Sequence, residues 1–257
     1  QGKRVFLQLD GAAHIATVYL NGIELKSHRC GYTAFRTELT EALQPGQKNR
    51  LAVRLDCREN KEIPPFGYVV DYLTYGGLYR EAWLDVRPEN YIEDLFVYAY
   101  DDGVARCRVR TSKPEGTVNA RIVSPEGETV GLYSGRERSF DIPVGNARLW
   151  EPEAPNIYTC TVQLEDGETD EKTEKFGFRS AIFKADGFYL NGKKTFLRGL
   201  NRHQCYPYIG YAAPERLQRQ DAYILKHELG CNAVRTSHYP QSRFFIDECD
   251  KEGLLVF

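Results

Sequence analysis

The sequence lacks several features that would assign a protein to a class at once. None of its 257 residues is methionine, and only two are tryptophan. No apolar run approaches the roughly 20 residues that a membrane-spanning helix needs. Lysine and arginine are dispersed and the formal net charge is -2, so no basic face predicts nucleic-acid binding. We therefore expect neither a membrane nor a nucleic acid among its partners.

The seven cysteines form no Cys-x-x-Cys pair, and their number is odd. Reduced thiols that fill core positions are the simplest interpretation, and this usage favours a cytoplasmic protein over a secreted one. The chain begins with glutamine and stops within an apolar run. We therefore expect it to be part of a longer chain, in which an upstream signal peptide would not be visible here.

Residues 1–87 show the period of β-strands. Apolar residues alternate with polar ones over residues 5–9, and the run at 17–20 leads into Asn21-Gly22. This dipeptide is a strong hairpin signal because both turn positions need a positive φ. Short strands with polar turns predict a sandwich or jelly roll for these residues.

Residues 88–183 form a second β region. Alternate residues from Ala105 to Val109 are apolar and have arginines between them, which is typical of a strand with one solvated face. Further alternating runs at 118–122 and 158–164 match the strand spacing of an immunoglobulin-like β-sandwich. Trp150 is expected to lie in its core.

The pattern changes from residue 184 onward. A hairpin and a strand are predicted from residues 188–190, Asn191-Gly192 and residues 195–200. Pro214 and Gly230 bracket a predicted helix. Its apolar stripe consists of Leu217, Ile224, Leu225 and Leu229.

A strand at 231–235, a helix from about residue 241 to residue 252 and a strand at 254–257 follow that helix. Alternating strands and helices are typical of a parallel α/β unit. Residues 184–257 therefore predict the first strands and helices of a TIM barrel.

Candidate functional side chains follow two of these strands. Residues 198–204 contain His203, and residues 235–240 contain Arg235 and His238. Functional residues of an α/β barrel lie in the loops after its strands, so we expect both imidazoles to face one pocket. They could donate hydrogen bonds to a polyhydroxylated substrate, and the planar fork of the arginine could orient a carboxylate. On spacing alone, a packing role remains the alternative.

Three segments carry a family resemblance. The first is residues 232–257, which begin Asn232-Ala-Val-Arg-Thr-Ser-His-Tyr-Pro240, and the second is Arg198-Gly-Leu-Asn-Arg-His203. The third is Asp71-Tyr-Leu-Thr-Tyr-Gly-Gly-Leu-Tyr-Arg80. Together they resemble glycoside hydrolase family two, which contains β-galactosidases, β-glucuronidases and β-mannosidases. The second segment is similar to the β-galactosidase form, whereas glucuronidases tend to have lysine before the histidine.

The resemblance implies roles for the predicted site residues. His203 and His238 would contact sugar hydroxyls where the glycosidic bond breaks. Residues 1–87 would form the family's jelly-roll sugar-binding domain without its amino-terminal strands. Asp71 would reach from this jelly roll into the barrel mouth and bind a sugar hydroxyl, with turn capping as the alternative. Arg235 would position the nucleophilic carboxylate. Asn201 belongs to the same substrate-binding group, although a loop-shaping role is favoured for it.

The catalytic carboxylates are not among the predicted site residues. Retaining glycosidases use two carboxylates about 5–5.5 Å apart. The resemblance places both glutamates beyond residue 257, so we expect these residues alone to have no hydrolase activity. Glu248 and Glu252 are predicted to be solvated helix positions. No metal or cofactor is predicted here, although the resemblance allows Mg²⁺ or Na⁺ in a full-length enzyme.

The sequence thus predicts part of an exo-acting, retaining β-glycosidase whose substrates are β-linked oligosaccharides or glycosides. β-Galactosides are favoured, and a β-glucuronidase or another sugar specificity is the alternative. A non-catalytic carbohydrate-binding fragment and a structural role in a homo-oligomer are alternatives from other classes. An incomplete parallel barrel would leave strand edges unpaired, which argues against a fragment that acts alone.

Overall fold

The computed structural model of the protein describes residues 2–65 and 71–257. The chain divides into two compact units. Unit 1 consists of Gln1–Val86, Asn201–Asp221 and Thr236–Ile246. Unit 2 consists of Arg87–Leu200, Ala222–Arg235 and Asp247–Phe257. The interruptions in both units show that neighbouring segments late in the chain alternate between them.

Short strands dominate the first part of the chain. They are β1 (Lys3–Leu9), β2 (Ala12–Ala13), β3 (Ile15–Leu20), β4 (Ile23–His28), β5 (Phe35–Glu38), β6 (Leu51–Asp56), β7 (Gly77–Leu78) and β8 (Ala82–Pro88). They form sheets of order β5-β1-β8 and β4-β3-β6 and the pair β2-β7. A 3₁₀ turn at Thr40–Ala42 precedes β6.

Turn chemistry fixes the hairpin between β3 and β4. Asn21 and Gly22 have φ angles of 53° and 86°, which confirms the turn predicted from this dipeptide. Alternate side chains of β1 and β3, among them Leu7, Leu9 and Val18, enter one core, where each is at most 5% exposed. The alternation of polar and apolar residues therefore places one face of these strands inside unit 1.

The next strands belong to unit 2. They are β9 (Ile92–Ala99), β10 (Val104–Thr111), β11 (Thr117–Val123), β12 (Thr129–Gly135), β13 (Ser139–Pro143), β14 (Trp150–Glu151), β15 (Ala154–Pro155), β16 (Tyr158–Asp166), β17 (Glu168–Phe176), β18 (Ala181–Lys184), β19 (Gly187–Leu190) and β20 (Lys193–Lys194). Two sheets, β13-β10-β9 and β12-β11-β16-β17, share one hydrophobic core, which we call the two-sheet core. Smaller sheets are β14-β15 and β18-β19-β20.

Trp150 lies in the interior, but it packs with Phe188, Leu190, Ala233 and Leu255 rather than in the two-sheet core, so the predicted core position is corrected. It is 1% exposed, and its indole N–H donates to the carbonyl oxygen of Asp250 at 2.8 Å. The indole is therefore both buried and hydrogen-bonded, which is the usual condition for a tryptophan in a core.

The last part of the chain alternates strands and helices. Its elements are β21 (Gly199–Asn201), α1 (Glu215–Tyr223), β22 (Ala233–Arg235), α2 (Arg243–Glu252) and β23 (Leu255–Val256). The strands form a sheet of order β21-β22-β23, and β22 and β23 are parallel. This confirms the alternation, but the strand predicted over 195–200 is shifted to Gly199–Asn201.

The apolar stripe of the first helix was predicted wrongly at one position. A π-turn, Ile224–Glu228, follows α1, and the N–H of Leu229 donates to the carbonyl oxygen of Ile224 at 3.0 Å. A π-turn spans five residues rather than four between donor and acceptor, so it rotates the following side chains away from the α-helical stripe. Leu225 is 6% exposed, whereas Leu229 is 55% exposed.

The prediction that Glu248 is solvated is also wrong. Its side chain is buried, and Oε1 accepts a hydrogen bond from Lys251 at 2.7 Å. Glu248 adjoins the fully buried Cys249 at the edge of the apolar stripe of α2, which explains its burial. Glu252 lies 2.6 Å from His227 and is not fully exposed either.

The predicted fold class is confirmed at the coarse level, because the described chain is mainly β with few helices. The jelly-roll and immunoglobulin-like assignments stay predictions, as do the domain ranges 1–87, 88–183 and 184–257. In the part of the chain that the structure describes, no helix has the length and apolar character needed to cross a membrane.

Two glycines at helix ends provide a test of this packing. Gly230 and Gly253 have φ angles of 66° and 78°, so any other residue there is strained. A Cβ at position 253 would lie 2.8 Å from the carbonyl carbon of Pro152, whereas a Cβ at position 230 would meet nothing within 4 Å. We expect Gly230→Ala to lower the free energy of unfolding by about 1 kcal/mol. Gly253→Ala is expected to lower it by about 3 kcal/mol.

Urea denaturation of both variants measures the difference, with Gly230→Ala as the control for backbone strain alone. Equal losses for the two variants would contradict the close approach between Gly253 and Pro152.

Candidate functional site

Three segments of unit 1 supply the candidate site. They are residues 71–80, 201–206 and 236–241. The first contains β7 and precedes β8, and the other two lie at the carboxyl ends of β21 and β22. They are distant in sequence, so their convergence depends on tertiary contacts.

His203 and His238 lie side by side in this unit. Their ring centroids are 5.5 Å apart and the rings are nearly perpendicular, at 78°. The hydroxyl of Ser237 lies 3.3 Å from Nε2 of His203 and 3.2 Å from Nε2 of His238. The Ser237–His238 peptide bond is cis. One buried hydroxyl therefore connects the two imidazoles.

Tyr239 fixes the other side of the first imidazole. Its hydroxyl lies 3.1 Å from Nδ1 of His203 and accepts the backbone N–H of Gln204 at 3.2 Å. Because that hydroxyl accepts from the backbone, its own proton is available to Nδ1. No described residue hydrogen-bonds to Nδ1 of His238, whose side chain is exposed. His203 is thus held in place, while His238 has a ring nitrogen available to a ligand.

Tyr72 forms an aromatic wall beside both histidines. Its ring centroid lies 5.0 Å from that of His203 and 5.8 Å from that of His238. Burial raises the pKa of Tyr72, and the neighbouring Tyr239 and Asp71 add to this effect. Sequence reasoning missed Tyr72, although its position directly after the predicted acidic residue was an available signal.

Asp71 is exposed and lies close enough to act on both aromatic neighbours. Its negative charge raises the pKa of His203 and of Tyr72. The structure therefore places Asp71 within electrostatic range of His203, and its neighbour Tyr72 beside both His203 and His238. Sugar binding and turn capping both stay predictions for Asp71, as does sugar binding by the two histidines.

The environment of His203 favours the neutral imidazole. Burial lowers its pKa below the usual 6.5, the nearby His238 lowers it further, and Asp71 raises it in part. A neutral imidazole has one donor and one acceptor nitrogen, so it can exchange hydrogen bonds with hydroxyl groups in either sense.

A cluster of buried tyrosines lies behind the histidines. Tyr32 stacks on Tyr239 with centroids 4.5 Å apart and planes 5° from parallel. Tyr211 packs 5.5 Å from Tyr239 and donates its hydroxyl proton to the carbonyl oxygen of Leu73 at 2.9 Å. Burial raises the pKa of Tyr32 and of Tyr211, so both phenols are uncharged. The cluster therefore gives the site a rigid apolar base.

Arg80 connects the three segments. Its guanidinium donates to the carbonyl oxygen of Tyr32 at 3.0 Å, to Oε1 of Gln204 at 2.8 Å and to the carbonyl oxygen of Pro240 at 2.7 Å. Gln204 directly follows His203 and is 0% exposed. A single planar cation thus fixes the position of both histidine loops relative to the early strands.

Arg202 shapes the first loop from inside. It is 6% exposed and donates twice to Oδ2 of Asp221, at 2.9 and 2.7 Å. It also donates to Gln218 at 2.8 Å and to Gln241, and its guanidinium lies 4.2 Å from the ring centroid of Phe245. Arg202, the residue before His203, therefore has a structural role in the loop. Its presence alone does not indicate which sugar is bound.

The remaining predicted residues occupy strand ends. Asn201 is the last residue of β21, lies in unit 1 and is exposed. Arg235 is the last residue of β22, belongs to unit 2 and is exposed. Their roles in binding substrate or positioning a carboxylate stay predictions.

Among the described residues, no group of three or more histidine, cysteine, aspartate or glutamate side chains is placed to hold a metal ion. The expectation that Mg²⁺ or Na⁺ binds to a full-length enzyme stays a prediction.

Comparison with known proteins assigns the chain to a family. Residues 90–179 match the sequence model of the glycosyl hydrolases family 2, and residues 182–257 match that of the TIM barrel domain of the same family. The chain is 40% identical to a β-galactosidase of Thermoanaerobacter pseudethanolicus over 274 residues, covering 100% of this chain and 37% of that relative. The chain belongs to glycosyl hydrolase family 2.

β-Glucuronidases are also similar to this chain. A β-glucuronidase of Bacteroides fragilis is 32% identical to this chain, and the match covers 100% of this chain and 40% of that relative. The crystal structure of an FMN-binding β-glucuronidase from Faecalibacterium prausnitzii L2-6 has a TM-score of 0.91 at 32% identity, covering 100% of this chain and 42% of that chain. The chain thus spans less than half the length of these relatives.

The electrostatics of the histidine pair can be tested directly. We expect His203 to titrate below 6.5 in the folded protein, which means that lowering the pH through 6.5 protonates the unfolded state first and reduces stability. Removing the neighbouring charge with His238→Gln should raise the pKa of His203, and Asp71→Asn should lower it.

NMR titration of ¹⁵N-labelled histidine measures both shifts, with His203→Gln to assign the resonance. Shifts of the same sign in the two variants, or no shift in either, would show that the three side chains do not interact as the structure places them.

Proposed function

We propose that this chain is part of a β-glycosidase that releases a terminal β-linked sugar, with β-galactosides as its substrates. The observation that carries the proposal is the convergence of Asp71, His203 and His238, from two separate parts of the chain, in a protein of glycosyl hydrolase family 2. Asp71 lies before the early strand β8, and the histidines follow strands of the late α/β region.

The chemistry of these groups suits a sugar. A carboxylate accepts hydrogen bonds from hydroxyls, and a neutral imidazole donates one and accepts one. The ring of Tyr72 adds an apolar surface beside them, which fits the mixture of apolar walls and few directed polar groups in small-molecule sites. Such a site rejects a ligand that lacks the matching hydroxyl, because its polar groups are then left unpaired.

Catalysis needs two further carboxylates. Among the described residues, Asp71 is the one carboxylate that acts electrostatically on His203. Asp221, in the same unit, is bound to Arg202 at 2.7 Å and accepts from Tyr206, so its charge is neutralised by the protein. In this proposal the nucleophile and the acid/base lie outside these 257 residues, and hydrolysis proceeds by double displacement with retention.

The two histidines and Asp71 would then hold the terminal sugar against those carboxylates. Hydrogen bonds to sugar hydroxyls that strengthen as the ring becomes oxocarbenium-like favour the transition state over the ground state. Arg235 would orient the nucleophilic carboxylate through its planar guanidinium. These residues thus contribute binding and orientation, and the proton transfers belong to groups elsewhere in the full-length protein.

The preference for galactosides rests on sequence similarity. Identities to β-galactosidases reach 41%, and those to β-glucuronidases reach 32%. The β-glucuronidase relatives make a glucuronide the second candidate. Sugar choice must therefore be measured.

Assays of the full-length protein on aryl β-glycosides test the proposal. We expect a higher kcat/KM for an aryl β-galactoside than for the matching β-glucuronide. His238→Ala should lower kcat/KM by about 100-fold, because it removes hydrogen bonds made in the transition state. His227→Ala is the matched control, since His227 lies in the π-turn of unit 2 and is bonded to Glu252 at 2.6 Å.

Unchanged turnover in His238→Ala, with a folded protein, would remove this residue from the mechanism. A higher kcat/KM for the β-glucuronide would replace the proposed substrate by the second candidate, and absence of turnover on every β-glycoside would contradict the enzyme class.

A further inference from the structure

Two cysteine side chains meet inside the two-sheet core. The Sγ atoms of Cys107 and Cys160 are 4.0 Å apart. Cys107 lies on β10 of the three-stranded sheet, and Cys160 lies on β16 of the four-stranded sheet. They are 1% and 0% exposed. We propose that this pair is a site of reversible disulfide formation that links the two sheets covalently.

Strand pairing holds the two residues opposite each other. Cys107 is in register with Val97 on one side and Phe140 on the other. Cys160 is in register with Ile122 and Glu174. Because each residue lies inside a strand with a partner on both sides, strand pairing allows the backbone only small shifts, and the thiols remain directed at each other.

The remaining distance is small. A disulfide bond joins its sulfur atoms at about 2.05 Å, so the two sulfurs must approach by roughly 2 Å. Rotation about the χ1 angles of the two side chains can supply part of this approach, and a small shift of the facing strands supplies the rest. Facing sheets of this kind pack about 10 Å apart, a spacing that inter-sheet disulfides bridge in other sandwiches.

The oxidant is a small-molecule disulfide such as glutathione disulfide. The thiolate of one cysteine attacks a glutathione sulfur, which forms a mixed disulfide and releases one glutathione thiolate. The second cysteine then attacks the protein sulfur of that mixed disulfide and releases the second glutathione. In total, two protein S–H bonds and the S–S bond of glutathione disulfide are replaced by one protein S–S bond and two glutathione S–H bonds. Two electrons therefore pass from the protein thiols to glutathione.

Burial controls the rate of this exchange. The contact with Cys160 and burial raise the pKa of Cys107, so this thiol stays protonated in the closed core, whereas the same contact lowers the pKa of Cys160. Both sulfurs are also shielded from solvent. The exchange therefore proceeds when the two sheets open transiently, and the product is protected once they close.

The cross-link is expected to stabilise the unit. It closes a loop between residues 53 positions apart and so restricts the unfolded chain. For a loop of about 50 residues, the expected rise in melting temperature is roughly 5–10 °C. Strain from the closer approach of the sheets would reduce this rise.

The test uses the full-length protein, incubated with glutathione disulfide a few degrees below its melting temperature. A second sample is kept in dithiothreitol. Peptide mapping under non-reducing conditions should show one peptide that joins the segments around Cys107 and Cys160. The melting temperature of the oxidised sample should exceed that of the reduced one, and dithiothreitol should reverse both changes.

Two kinds of variant serve as controls. Cys107→Ala and Cys160→Ala should each abolish the joined peptide and the rise in melting temperature. Cys57→Ser, which removes an exposed cysteine of unit 1, should leave both unchanged.

Absence of the joined peptide in the wild-type protein would overturn the proposal, and this measurement does not depend on whether the alanine variants fold. A joined peptide with an unchanged or lower melting temperature would overturn the stabilising link between the sheets. Neither outcome bears on the glycosidase proposal, because the pair lies in unit 2, whereas Asp71, His203 and His238 lie in unit 1.

Discussion

The guanidinium of Arg80 is the interaction on which the candidate site depends. It donates to the carbonyl oxygen of Tyr32 between β4 and β5, to Gln204 next to His203, and to the carbonyl oxygen of Pro240 two residues after His238. Each acceptor left without a donor would cost about 1–3 kcal/mol. Both histidine loops are consequently fixed to the same planar cation, and the imidazole rings keep their mutual geometry without a ligand.

A second buried arginine supports the same loops. Arg202 binds Asp221, Gln218 and Gln241 and packs on Phe245, so the donors of its guanidinium are used within the protein. Arg80 differs from a salt bridge on the surface, because it donates to backbone and amide groups of other segments, whereas Arg202 combines a buried ion pair with Asp221 and two amide partners. A site arranged in this way is preorganised, and a bound sugar would not have to order the loops.

Local signals in the sequence predicted local structure well. The Asn21-Gly22 turn and the helix ends at Gly230 and Gly253 follow from positive φ angles that glycine or asparagine tolerates. The π-turn after α1 and the burial of Glu248 were missed, because both depend on packing against distant segments rather than on periodicity. The same limit applies at the site. Family resemblance indicated the two histidines, but the bridging hydroxyl of Ser237 and the wall formed by Tyr72 depend on tertiary contacts.

A crystal structure of the full-length protein with a galactose-configured inhibitor tests the central claim most directly. We predict that the carboxylate of Asp71 and at least one ring nitrogen of His238 lie within about 3.2 Å of sugar hydroxyls, with the ring of Tyr72 beside the sugar. A sugar bound with full occupancy at the catalytic carboxylates, and out of hydrogen-bond reach of Asp71 and both histidines, would contradict the account.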